Sequence, residues 1–142
     1  MKLIVTKFGG TSVGTIDRIK SVAAKIKNEV NNGYNVIVVV SAMAGETNRL
    51  IKLVESLTND YRTSEYDTVI SSGEQVTSGL LSIALNELGI KSKSYQGWQI
   101  PFKTDNSFSK ANIKEINKDK ILSDLNDGYV IVVPGFQGVH KN

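Results

Sequence analysis

Lys2-Leu3-Ile4-Val5-Thr6-Lys7-Phe8-Gly9-Gly10-Thr11-Ser12 runs from β-forming residues into a double glycine. Its first five residues read as an N-terminal strand, and a helical period begins near Ile16, so the glycines fall at a strand-to-helix junction. Such junctions bind anions, because the first amides of a helix have no partner within it and the helix dipole favours negative charge. Two consecutive glycines let the backbone turn tightly with its N–H groups open to one side, and Lys7 adds a mobile positive charge just before them. The stretch fits neither common phosphate-loop pattern, G-x-x-x-x-G-K-[ST] or G-x-G-x-x-G, and its lysine precedes the glycines. An ordinary glycine turn beside a solvated lysine accounts for these residues equally well. The rest of the chain has to decide.

Working outward, Ile16, Ile19, Val22, Ala23, Ile26 and Val30 recur at helical spacing until Asn31-Asn32-Gly33 stops them. Val36-Ile37-Val38-Val39-Val40 follows as an unbroken β-branched run, the pattern of a strand covered on both faces. Strand, helix and strand over this length predict a right-handed parallel unit, so the fold class is α/β, a mainly parallel sheet sandwiched by helices. Ser41 to Asn48 is a small polar loop opening onto a second helical pattern, Leu50 to Tyr61. Ligands of open parallel sheets gather at the carboxyl ends of neighbouring strands, which turns Ser41 and Thr47 towards the crevice of Lys7. A hydroxyl before a helix also serves as a plain cap, and Thr47 suits that role.

Between Tyr66 and Leu88 the polar quintet Ser71-Ser72-Gly73-Glu74-Gln75 interrupts the apolar residues. It predicts a break, with a new helix starting near Glu74. A carboxylate in a first turn is favoured by the macrodipole by about 0.3–1 kcal/mol, and the same group suits a substrate ammonium. Lys91 to Tyr95 reads as a short strand at an edge or rim, and Ile100–Thr104 with Ala111–Ile116 as a hairpin around Asp105 to Lys110. Asn117 is placed to cap a helix carrying Ile121, Leu122 and Leu125. Tyr129 to Val133 is another buried strand, and it delivers Pro134-Gly135-Phe136-Gln137-Gly138, a third glycine-containing loop at a strand's carboxyl end.

Composition narrows the chemistry. The 142 residues, 40% hydrophobic and 22% charged, suffice for one compact domain with a genuine core. Without cysteine there is no disulfide, thiol nucleophile or cysteine-held zinc. The N-terminus lacks a signal peptide's basic head and apolar run, and Val36–Val40 is too short to span a bilayer, so the expectation is a soluble, cytoplasmic protein without membrane contact. A net charge of +3 and a pI near 9.1 come from scattered lysines, with no dense basic run. That argues against nucleic acid and suits anionic substrates such as nucleotides and dicarboxylates. His140, the only histidine, reads as a solvated surface residue, and no metal site is expected on the protein.

Lys7-Phe8-Gly9-Gly10-Thr11-Ser12-Val13-Gly14, Val39-Val40-Ser41-Ala42-Met43, Ser72-Gly73-Glu74-Gln75 and Gly135-Phe136-Gln137-Gly138, in this order and at these separations, resemble the aspartate kinases of the amino-acid kinase superfamily. The resemblance runs from Met1 to Asn142. It implies the amino-acid kinase (carbamate kinase-like) fold, with residues 1–142 as the N-terminal portion of the kinase domain and the nucleotide-binding C-terminal half and ACT regulatory domains absent. The implied reaction transfers the γ-phosphate of ATP to the β-carboxylate of aspartate, giving 4-phospho-aspartate, the first step towards lysine, threonine and methionine. By the same resemblance Lys7 is the catalytic residue, stabilising the transferring phosphate, while Gly9, Gly10 and Ser41 meet the nucleotide. Thr47, Glu74, Gly135 and Phe136 hold aspartate, with Glu74 against its ammonium. Mg2+ enters bound to ATP. A half sheet leaves a core strand edge unpaired, which implies a homo-oligomer or dependence on the missing half. The alternative to turnover is a non-catalytic aspartate-binding or oligomerising fragment.

Overall fold

The computed structural model describes residues 2–61, 63–107 and 110–137; Gly138 and His140, both noted in the sequence, lie outside them. The elements are β1 (Leu3–Phe8), α1 (Ile16–Asn31), β2 (Asn35–Val40), α2 (Glu46–Glu55), α3 (Ser64–Glu87), β3 (Ser92–Ser94), β4 (Phe102–Thr104), β5 (Ile113–Ile116), α4 (Asp119–Asn126) and β6 (Val130–Pro134). Four strands form one sheet in the order β1-β2-β6-β3, with every neighbouring pair parallel. β6, the last strand in sequence, is inserted between β2 and β3 and is buried along its whole length. β3 is an edge strand, as its mixed polarity predicts.

Two apolar layers enclose the sheet. On one face Val36, Val38 and Val40 of β2 and Val130 and Val132 of β6 pack with Ile19, Val22 and Ile26 of α1 and Leu81 and Leu85 of α3. On the other, Ile131 and Val133 meet Ile121 and Leu125 of α4 together with Tyr95 and Ile100. Successive strand residues face opposite sides, so a strand serving both layers has to be apolar throughout. This is the α/β sandwich that the valine-rich runs predict. Asp124 ties α4 to β3: it accepts from Lys93 Nζ and from the Tyr95 hydroxyl, each at 2.5 Å. Burial and that carboxylate push the Tyr95 phenol up to about 12. Among the described residues no helix is long and apolar enough to cross a membrane.

The hairpin forms as expected, with Phe102 opposite Ile116 and Lys103 opposite Glu115. Asp105 closes its turn by accepting the Asn112 side-chain amide at 2.8 Å and backbone amide at 3.2 Å, bonds that hold its carboxyl down to about 2. Three helix boundaries differ from the sequence reading. α2 stops at Glu55, well before Tyr61, and leaves Leu57 exposed. α4 opens at Asp119 after Lys118, although Asn117 Oδ1 does accept the Asp119 amide at 3.1 Å. The largest difference is α3, one continuous helix from a Thr63 cap to Glu87, so the expected break at Ser71–Gln75 does not occur and Glu74 is mid-helix. The serines fold back inside the helix: Ser71 donates to the Thr68 carbonyl at 3.2 Å and Ser72 to the Val69 carbonyl at 2.7 Å. Gly73 is a contact residue, since a Cβ there would lie 3.0 Å from Ala42 Cβ and 3.2 Å from both Glu46 Cγ and Leu50 Cδ1.

Candidate functional site

Strand register sets the site's frame. Phe8 pairs with Val40, and Val40 with Pro134, so three strands end on one line. Gly9-Gly10, Ser41-Ala42 and Gly135-Phe136 therefore leave the sheet side by side. The Ser41 amide donates to the Phe8 carbonyl at 3.1 Å and the Gly135 amide to the Val40 carbonyl at 2.9 Å, so each later loop starts tied to its neighbour. This is the carboxyl-end crevice of a parallel sheet.

Lys7 is the penultimate residue of β1 and is exposed. Beyond it the turn closes through the Ser12 amide on the Gly9 carbonyl at 2.9 Å. Gly9 is open, with nothing within 4 Å of an added Cβ, whereas at Gly10 that carbon would lie 3.0 Å from the Ala42 carbonyl oxygen and at Gly14 2.9 Å from Ala44 Cβ. Among the described residues the positive-φ glycines are Gly33, Gly45, Gly89 and Gly128. Gly10 and Gly14 thus serve close approach between two loops, not a left-handed turn. Arg18, which the sequence reading did not single out, reaches back from α1 and donates through Nη1 to the Thr11 carbonyl at 2.5 Å, fixing the turn.

The acceptor-side residues converge. Thr47 and Ile51 of α2, Tyr66, Ile70 and Glu74 of α3, and Phe136 line a pocket of about 290 Å³. Glu74 Oε2 accepts the Phe136 amide. Burial pushes the Glu74 carboxyl above its ordinary 4.5, opposed by the Phe136 and Gly135 amides and by the charge of Lys7. Lys7 and Glu74, predicted for opposite ends of one reaction, therefore share a field. Thr47 does not cap α2: Gly45 takes the cap position at φ +79° with no side-chain bond, leaving the exposed Thr47 hydroxyl to the pocket. Ser41 does not line the pocket and stands beside the glycine turn. Tyr66 and Ile70 escaped the sequence reading because they precede the expected break. Counting back from Glu74 by four and eight along an unbroken helix would have found them.

Among the described residues no group of three or more Asp, Glu or His side chains gathers to hold a metal ion. The amino acid kinase family profile matches residues 2–142. An aspartate kinase of Pseudomonas putida is 50% identical over 142 residues, which is 100% of this chain and 34% of the relative. The crystal structure of aspartate kinase from Synechocystis matches with a TM-score of 0.82 at 40% identity, over 98% of this chain and 22% of that one. E. coli aspartokinase III in complex with aspartate and ADP matches with a TM-score of 0.80 over 99% of this chain and 42% of the other; at 20% identity that likeness speaks for the fold alone. The chain spans about a third of the length of the curated relatives it matches.

Proposed function

We propose, since this chain belongs to the amino acid kinase family, that it supplies the acceptor side of an aspartate kinase, transferring the γ-phosphate of ATP to the β-carboxylate of aspartate. The observation that carries this reading is the meeting of Thr47, Glu74 and Phe136 in one pocket beside the Gly9-Gly10 turn. The relatives named as aspartate kinases at 50% and 40% identity support it. Residues 1–142 form the N-terminal portion of the kinase domain in this proposal, and groups outside them hold the adenine. The product, 4-phospho-aspartate, feeds synthesis of lysine, threonine and methionine, a cytoplasmic task.

In this mechanism a β-carboxylate oxygen bonds to the γ-phosphorus as the bond to the β,γ-bridging oxygen breaks, and ADP leaves with the electron pair. The acceptor is already ionised near neutral pH, so no base is needed, and the protein aligns reactants and offsets charge. Lys7 faces the transferring phosphate, the Gly9 and Gly10 amides and Ser41 meet the nucleotide, and Thr47 and the Gly135-Phe136 backbone orient aspartate. A carboxylate offers about four lone-pair sites, so Glu74 accepts the Phe136 amide and still receives an ammonium. Magnesium would come in on the ATP phosphates and offset their charge; among the described residues no group of three or more Asp, Glu or His side chains gathers to hold it.

Calorimetric titration of the purified chain tests the reading. Glu74→Ala should weaken aspartate at least about tenfold, the loss of one charge-assisted pair, with a smaller effect on ATP. Lys7→Ala should do the converse. Equal losses of both ligands in both variants would mean that the acceptor and phosphate sides are misassigned. A second reading, an associating fragment that binds aspartate without turnover, is favoured by the open edge of β1, where Val5 is 62% exposed.

A further inference from the structure

α3 presents two neighbouring rows of side chains to two neighbouring cavities. Tyr66, Ile70 and Glu74 face the 290 Å³ pocket, while Asp67, Ser71 and Gln75, each one residue further on, line a second cavity of about 490 Å³. Both rows have i, i+4, i+8 spacing, so they are adjacent stripes on one helix. The larger cavity is also lined by Trp98 and Ile113, which are 63% and 58% exposed. Among the described residues Phe136 alone lines both spaces.

We propose that Phe136 is a specificity-determining residue: its side chain walls the acceptor pocket off from the larger groove and limits the acceptor to an amino acid of aspartate's size. This rests on the acceptor reading above. Its backbone is pinned, because its amide donates to Glu74 and the preceding Gly135 amide to the Val40 carbonyl. The wall therefore keeps its place relative to the group assigned to the substrate ammonium. At about 290 Å³ the pocket sits just below the usual range for ligand sites, roughly 300–1,000 Å³, as a small acceptor requires. Beyond the wall the groove is lined by Trp98, Ile113 and Pro134, so an aspartate extended by an apolar group has partners there once the ring is removed. Phe136 is 36% exposed and belongs to neither core layer, so trimming its side chain should leave the packing of the sheet intact.

The test uses the whole chain, wild type, Phe136→Ala and Phe136→Leu, with three probes: aspartate, the dipeptide aspartyl-phenylalanine and N-acetylaspartate. The first extended probe retains the ammonium and β-carboxylate and adds an apolar group; the second replaces the ammonium that Glu74 receives by a neutral amide and serves as the control for loss of that pair. In wild type both should bind much more weakly than aspartate. In Phe136→Ala the dipeptide should gain about tenfold or more relative to aspartate, the scale of a steric restriction of one or a few methylenes, while N-acetylaspartate stays weak, and Phe136→Leu should restore most of the discrimination. Trp98 is the only tryptophan, so its emission should move when an extended probe binds Phe136→Ala and stay still with aspartate on wild type. A wild type that binds aspartate, combined with unchanged ratios and unmoved emission in Phe136→Ala, overturns the wall. A wild type that binds no aspartate overturns the acceptor reading, and the wall with it.

Discussion

Burial and the loop amides act on Glu74 in opposite directions, and burial prevails, leaving its carboxyl above the ordinary 4.5. The folded state then holds more protons than the unfolded state between 4.5 and the raised value, so this group's contribution to stability is complete below 4.5 and is lost as pH rises through that window. Glu74→Gln keeps an oxygen for the Phe136 amide and removes the titration. In urea unfolding at a series of pH values, wild type should lose stability relative to Glu74→Gln across the window and hold a constant difference above it. Aspartate affinity in wild type should move the other way, strengthening over the same rise, because the ammonium needs the ionised form. Residue type picked out Lys7, Thr47 and Glu74 as candidates, but only Lys7 stands near a strand end, while Thr47 and Glu74 are carried by α2 and α3. Arg18 was not legible, since its value lies in a bond to the Thr11 carbonyl seven residues back, which no side-chain pattern encodes.

At the scale of elements, Ser71-Ser72-Gly73-Glu74-Gln75 shows where local reading failed. Serine and glycine have poor helix propensity and often mark boundaries. Here tertiary contact overrides propensity, because α2 and the Ala42 loop press against α3 where only a hydrogen fits. Gly73→Ala would gain about 1 kcal/mol of helix propensity but place a methyl 3.0 Å from Ala42 Cβ, and overpacking of this kind costs about 1–3 kcal/mol. The net expectation is destabilisation in denaturant unfolding, with aspartate binding weakened further as Glu74 moves away from Thr47. A gain in stability would mean that α2 and α3 separate freely. The strands were read more securely: β2 and β6 announce burial on both faces through unbroken apolar runs, a signal that leaves little room for another element.

For the whole molecule, periodicity predicted parallel strands and two helical layers, but not that β6 inserts between β2 and β3. Pairing between strands distant in sequence is set by the closure of both apolar layers at once, and no local window contains that information. The sheet keeps β1 as an edge, with Leu3 and Val5 exposed at 42% and 62%. A six-residue edge strand with apolar side chains is a template for pairing with another chain. Sedimentation of the isolated chain should show concentration-dependent association, and Val5→Lys, by charging that surface, should reduce it. Monomers at every concentration would remove the argument for the associating fragment.

The central claim is that aspartate seats between α2, α3 and the loop after β6. Titration of aspartate into the isotopically labelled chain, followed by backbone amide resonances, tests it most directly. The account predicts saturable shifts centred on Thr47, Glu74 and Phe136, largest at the Phe136 amide as the substrate ammonium competes for its carboxylate partner, with the outer face of α1 unmoved. Saturable shifts that map elsewhere, or none up to millimolar aspartate, on the order of the weakest affinities usual for small substrates, would contradict it.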